Sequence, residues 1–308
     1  MNVADGPPLF ILLNAGSGHA DTARQQQTIE GVLRQAGRRF TLKVVDDAGQ
    51  LADLAHDMGL RAKAEGGILV AAGGDGTINT VAGKAVELGC PFGVLPQGTF
   101  NYFGRTHGIP EDLEQAVRSL LTGTVQPVQI GMVNQRIFLV NASIGLYPQI
   151  LEEREADKKQ FGRSRIVALL SMLKTALSAP QYLRINLERD GQQHKLRTST
   201  LFVGNNRLQI EQLGIAPLSY ALDDGQLVAI APRSVDRLGM LSLMLRGALG
   251  KLGQARDLVG FGFRSLAVKQ MTLYGKRRRI KVATDGEVAM IDTPLTFRVL
   301  DGKLMLVK

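Results

Sequence analysis

The residues with the types and spacing for chemistry begin at Gly73-Gly74-Asp75-Gly76-Thr77-Ile78-Asn79, where an apolar run from Ile68 to Ala72 stops in glycine around one aspartate. Glycine tolerates positive φ and carries no Cβ, so backbone N–H groups and the positive end of the following helix can close on an anion such as phosphate. Asp75 in such a turn repels a phosphate unless it accepts from an N–H, touches a magnesium shell or takes a proton from a hydroxyl. That choice points to metal-assisted phosphoryl chemistry rather than passive binding. A plain strand-to-helix turn accounts for the same glycines without any ligand.

The elements that must position this turn are read from hydrophobic period. A buried strand covers Ile68 to Ala72, and Thr77 is a suitable N-cap ahead of the periodic Ile78, Val81, Ala82, Ala85 and Val86. Upstream, Pro8 to Leu13 reads as a strand ending in Asn14-Ala15-Gly16-Ser17-Gly18, followed by a helix from Asp21 to Gln35. A strand at Phe40 to Val45 and a helix at Leu51 to Lys63 come next. Downstream, Phe92 to Leu95 ends in Pro96-Gln97-Gly98-Thr99-Phe100-Asn101, again a glycine turn with a hydroxyl and an amide, and a helix from Glu111 to Leu121 closes the series. Such alternation predicts a parallel sheet, and ligands of such sheets bind beyond the carboxyl ends of the strands, where all three turns would lie.

From about residue 125 the rhythm changes to short alternating strands, as in Leu183 to Leu187 and Leu295 to Val299, with Asp190-Gly191 and Asp301-Gly302 expected to turn hairpins. Helices are expected at Ile166 to Ala179 and Val235 to Leu258. The expected fold is therefore α/β, with a three-layer nucleotide domain over 1–125 and a β-rich, sandwich-like domain over 126–292.

Composition narrows the function. A formal charge of +9 calls for an acidic partner: nucleotide, nucleic acid or anionic membrane. Tryptophan is absent and no nucleic-acid module is recognisable, which disfavours RNA and DNA. Cys90 is the only cysteine, so an internal disulfide is impossible. His19, His56, His107 and His194 lack zinc-ligand spacing, so any metal is expected to be hard and oxygen-bound. No apolar run approaches the roughly 18 residues of a membrane span, and the chain is expected in the cytoplasm.

Taken together, Asn14 to Gly18, Gly73 to Asn79, Leu95 to Asn101, Asn141-Ala142-Ser143-Ile144-Gly145, Leu222-Asp223-Asp224-Gly225 and Asp285-Gly286-Glu287 resemble, in order and spacing, the motifs of the diacylglycerol kinase-like lipid kinases. That family includes bacterial diacylglycerol and phosphatidylglycerol kinases and the sphingosine and ceramide kinases. The resemblance implies ATP and Mg2+ between an N-terminal nucleotide domain and a lipid-holding C-terminal domain, with 293–308 returning to complete the first. It implies an ATP site at Asn14, Gly16, Ser17, Gly18, Gly73, Gly74, Asp75, Gly76, Thr77, Asn79, Gly98 and Thr99, and a magnesium at Asp224 with backbone oxygens of Ala221 and Gln226. It makes Glu287 the general base.

The residue types agree with those roles. Moving a γ-phosphate to a hydroxyl needs an acceptor for the hydroxyl proton, which a cleft carboxylate supplies. Asp285, on the same turn as Glu287, competes for that part, and a solvated hairpin tip explains both acids without function. An ordinary turn likewise explains Asp223 and Asp224. The chain departs from the family at Tyr102, where an aspartate is usual, and at Val44-Val45-Asp46-Asp47, where a threonine usually serves the nucleotide.

The expected substrate is diacylglycerol or a related lipid met at a membrane surface, with Lys158, Lys159, Arg163, Arg165 and the run Lys276 to Arg279 as cationic contacts. Internal packing or a solvated strand edge explains the same residues. NAD kinases, which share a Gly-Gly-Asp-Gly loop, and a non-catalytic nucleotide- or lipid-binding regulator are the other readings. Oligomeric state is not legible in the sequence.

Overall fold

The computed structural model describes residues 6–15, 19–148, 151, 183–189, 192–212, 216–232, 263–275 and 277–308. The expected helices at 166–179 and 235–258 lie outside them, as do Lys158, Lys159, Arg163, Arg165 and Lys276. The chain divides into two compact units, residues 1–130 with 300–308, and residues 131–299.

In the first unit the strands β1 (Leu9–Asn14), β2 (Phe40–Val45), β3 (Ile68–Gly73) and β4 (Phe92–Pro96) form a parallel sheet in the order β2-β1-β3-β4. β1, β3 and β4 are almost wholly buried, which is why they read as continuous apolar runs rather than alternating ones. Helices α1 (His19–Gln35) and α5 (Leu113–Thr122) pair with each other, as do α2 (Leu51–Ala64) and α3 (Asp75–Leu88), giving the helical layers. A short α4 (Tyr102–Thr106) lies between β4 and α5. Asp112 caps α5 by accepting from the Gln115 N–H at 2.9 Å.

Helix α3 starts earlier than its apolar period suggests. Its N-cap is Gly74, without a side-chain cap, and Thr77 sits buried inside the first turn. Asp47, one of the acids expected to disturb the nucleotide loop, accepts from the Gly49 N–H at 2.8 Å and opens a 3₁₀ turn.

The second unit opens inside the strand β5 (Val125–Val133), so the change of rhythm at 125 falls in an unbroken element. β6 (Arg136–Phe138) and β7 (Asn141–Gly145) follow it, and then β8 (Leu183–Arg189), β9 (Gln192–Thr198) and β10 (Thr200–Gly204). Helices α6 (Arg207–Gln212) and α7 (Ala216–Asp223) precede β11 (Leu227–Pro232), β12 (Phe263–Val268), β13 (Gln270–Tyr274), β14 (Arg279–Thr284), β15 (Glu287–Asp292) and β16 (Leu295–Val307). One antiparallel sheet runs β12-β11-β10-β7-β14-β15. β13 pairs with both β8 and β16, and β8 pairs with β9, all antiparallel. Alternate residues of the two layers, among them Phe138, Ile144, Leu201, Val282 and Phe297, form one core. The other face of this antiparallel sheet carries α6 and α7, with Ile210 of α6 clustered with Val228 and Ile230 of β11.

Asp301-Gly302 does not turn a hairpin. β16 continues through it with Gly302 at φ 63, because Leu295 to Arg298 pair with β13 while Leu306 pairs in parallel with Phe92. Partners at both ends hold the strand extended and override the local turn preference.

Candidate active site

The turns after β3 and β4 meet through their backbones. Gln97 N–H donates to Gly73 O at 2.9 Å. A Cβ on Gly98 would stand 3.0 Å from the Gly74 Cα and 3.0 Å from Asn101 Oδ1, so a side chain there would press the two turns apart. Asn101, at φ 48, folds its side chain back to accept from the Gly98 N–H at 2.8 Å. At the end of β1, Asn14 Nδ2 donates to Thr77 Oγ1 at 2.7 Å, tying a second strand end to the first turn of α3. Gly73, Gly74, Asp75, Gly76, Thr77, Gly98 and Asn14 therefore lie together. Gly16, Ser17 and Gly18 are outside the described residues. Thr99 is exposed on the third turn, and Asn79 is buried one helical step behind the first.

Asp75 is the first residue of α3. Burial pushes its carboxyl above the ordinary carboxylate range, against the opposing pull of the backbone N–H groups of Asn101, Phe103 and Tyr102. Its Oδ1 is buried without a hydrogen-bond partner. Tyr102 therefore serves this carboxylate through its backbone, while its ring stacks on Phe100 with centroids 5.7 Å apart.

In the second unit, Asp285 and Gly286 form the turn between β14 and β15 with φ 48 and 92, the positive values a two-residue hairpin turn requires. The Asp285 carboxylate accepts from the Leu139, Val140 and Asn141 N–H groups at 2.6, 2.9 and 2.8 Å. Both its oxygens are engaged by buried donors, which makes Asp285 the anchor of the turn. Glu287 follows, about half exposed, with Oε2 on Arg136 Nη2 at 2.7 Å. Asn141, from a further motif, belongs to this anchor through its backbone.

The third acidic motif ends a helix. Gln226 N–H donates to Ala221 O at 3.0 Å and Gly225 N–H to Leu222 O at 3.2 Å, with Gly225 at φ 69, a Schellman closure of α7. Asp223 pairs with Arg207 at 3.0 Å and Asp224 is exposed. No cluster of three or more His, Cys, Asp or Glu able to hold a metal occurs among the described residues.

Residues 8–133 match the model of the diacylglycerol kinase catalytic domain. Over those residues the chain resembles the diacylglycerol kinase-like lipid kinases. The chain is 28% identical over 258 residues to a Chromohalobacter salexigens protein named a probable lipid kinase, YegS-like, covering 82% of this chain and 79% of that one. It is 34% identical over 132 residues to the diacylglycerol kinase of Bacillus subtilis, covering 42% of this chain and 43% of that one. A crystal structure of a Bacillus anthracis diacylglycerol kinase shares its fold, with a TM-score of 0.67 at 19% identity, covering 98% of this chain and 96% of that one.

Two residues grouped with Glu287 carry no signal in the sequence. Arg136 and Thr284 meet at 2.7 Å, and Arg136 lies 151 positions from Glu287, with no motif around it. Only the preceding Asn134, at φ 51, hints that Arg136 begins a strand after a tight turn.

Proposed function

We propose that this protein is a lipid kinase that transfers the γ-phosphate of ATP to a hydroxyl of diacylglycerol or a related lipid. The observation that carries the reading is the pairing of two glycine turns around a buried carboxylate oxygen, Asp75 Oδ1, that lacks a partner. A buried acceptor left unmet is costly, and a hydroxyl donor or a hard cation satisfies it. The uncapped first turn of α3 offers N–H groups to phosphate.

In the proposed reaction the glycine turns hold the triphosphate and Asn14 fixes Thr77 beside them. The lipid oxygen bonds to the γ-phosphorus as the bond to ADP breaks, and Glu287 Oε1, opposite the oxygen held by Arg136, takes the hydroxyl proton. Magnesium would supply neutralisation of phosphate charge. The orphaned Asp75 oxygen fits such an ion, and Asp224 with the carbonyls of Ala221 and Gln226 offers a second set of hard donors at the negative end of α7.

A lipid acceptor is supported by an apolar cavity of about 210 Å³ in the second unit, walled by Leu187, Leu196, Leu201, Ala229, Ala231 and Leu266, with Lys195 at its edge. Exposed Arg277 and Arg278 suit anionic headgroups, while Arg279 pairs with Asp292 at 3.4 Å.

The test is transfer from γ-labelled ATP to total-lipid vesicles by Asp75→Asn and Glu287→Gln. Both are expected to lose at least 100-fold in turnover (roughly the general-base range) with the fold retained. Wild-type turnover in either would defeat the assignment.

A further inference from the structure

We infer that Arg136 is a positioning residue for Glu287, an inference that rests on the base role proposed above. Glu287 is the first residue of β15, directly opposite Thr284 in the hairpin register. Its backbone is fixed by the turn that Asp285 anchors, but its side chain has three free torsions and stands about half exposed. Arg136 is its one ion-pair partner among the described residues.

The guanidinium uses one edge as a fork. Nε donates to Thr284 Oγ1 at 2.7 Å and the adjacent Nη2 donates to Glu287 Oε2 at 2.7 Å. Thr284 is 1% exposed, so it is a fixed acceptor that sets the plane of the guanidinium, and the guanidinium then sets the carboxylate. Oε1 remains outside the fork. A lysine, as a point charge, cannot serve both acceptors in one geometry.

The pair is not explained by stability. Arg136 and Glu287 side chains are 36% and 49% exposed, and ion pairs in such solvent contribute little to folding. A guanidinium fixed on buried Thr284 and bonded to one carboxylate oxygen gives an exposed acceptor a set direction, which matters when an ångström of misplacement costs about 100-fold in rate.

The test uses the full-length protein with γ-labelled ATP and total-lipid vesicles, comparing Arg136→Met, Arg136→Lys, Thr284→Val, Glu287→Gln and the double variant Arg136→Met/Glu287→Gln. Arg136→Met should lower kcat about 10- to 100-fold with the KM for ATP and the melting temperature unchanged, since only orientation is lost. Arg136→Lys should restore part of the rate, and Thr284→Val should lower it less than Arg136→Met. A sixth variant, Arg136→Ala, which leaves space for a small cation, should be rescued by millimolar guanidinium. In the Glu287→Gln background, Arg136→Met should cost nothing further.

Wild-type kcat in Arg136→Met alongside an impaired Glu287→Gln would overturn the positioning role and leave the proposed function standing. Losses that multiply in the double variant would overturn it as well, because the two residues would then act independently. Full activity of Glu287→Gln would instead remove the base assignment on which the inference rests. Should Arg136→Met lower the melting temperature, Thr284→Val decides: an unchanged rate there counts against the hold.

Discussion

At the scale of single residues, the protein keeps a carboxylate where folding alone would not. Asp75 holds a raised pKa through burial, so between the ordinary value and the raised one the folded state carries more protons than the unfolded state. Stability therefore rises as pH falls through that raised value, because the buried site disfavours the charged form. Asp75→Asn is expected to raise the melting temperature, by about 1 kcal/mol in stability, in the same variant that loses transfer. Differential scanning at pH 7 reads the first effect, and a lowered melting point would contradict it.

His107 behaves in the opposite sense. Burial, with a smaller contribution from Lys308, lowers its pKa to about 4, and its ring meets Phe103 edge-on at 4.6 Å. The unfolded chain then binds the extra proton between the ordinary value of 6.5 and about 4, so stability is lost as pH falls through that window. The loss should reach up to about 3 kcal/mol, and His107→Gln should flatten the slope of melting temperature against pH. An unchanged slope would show that His107 is not the titrating group.

At the scale of elements, the glycine turns are the parts that cannot be exchanged. Gly98→Ala pushes a Cβ into the Gly74 Cα and Asn101 Oδ1, whereas a Cβ on Gly74 would meet the Gly98 Cα at an ordinary 3.6 Å. Gly98→Ala should therefore separate the two turns and weaken ATP binding about tenfold, roughly 1.4 kcal/mol, measured by calorimetry. Equal affinity would mean that the close approach serves only packing.

These elements were largely legible because β1, β3 and β4, buried on both faces, announce themselves as unbroken apolar runs that stop in small-residue turns. The start of α3 was not, since Gly73, Gly74 and Gly76 conceal a helix whose first residue is Asp75. Asp301-Gly302 misled because turn chemistry is local, whereas the pairing that straightens β16 comes from strands far along the chain. The site follows the same division. Turn-borne residues such as Asp75 and Glu287 carry local signals, while the Asn14–Thr77 and Arg136–Glu287 contacts span 63 and 151 positions and leave no mark in either segment.

At the scale of the whole molecule, an excess of nine positive charges accompanies an apolar cavity in the second unit and a phosphate-suited rim in the first. No described helix is long and apolar enough to cross a membrane. A cation close to anionic headgroups is worth about 1 kcal/mol, screened within a Debye length of roughly 8 Å at physiological salt. The Asp-Gly-Glu hairpin and the paired-aspartate helix end belong to the second unit, while the Gly-Gly-Asp-Gly turn that NAD kinases share belongs to the first. Substrate class therefore has to be read from the product rather than from that turn.

The most direct measurement is incubation of the purified protein with γ-labelled ATP, magnesium, vesicles of a total lipid extract and, in parallel, NAD, followed by separation of organic and aqueous products. The account predicts label in an organic-phase phospholipid and none in NADP. Label recovered as NADP, or in neither phase while ATP remains bound, would contradict it.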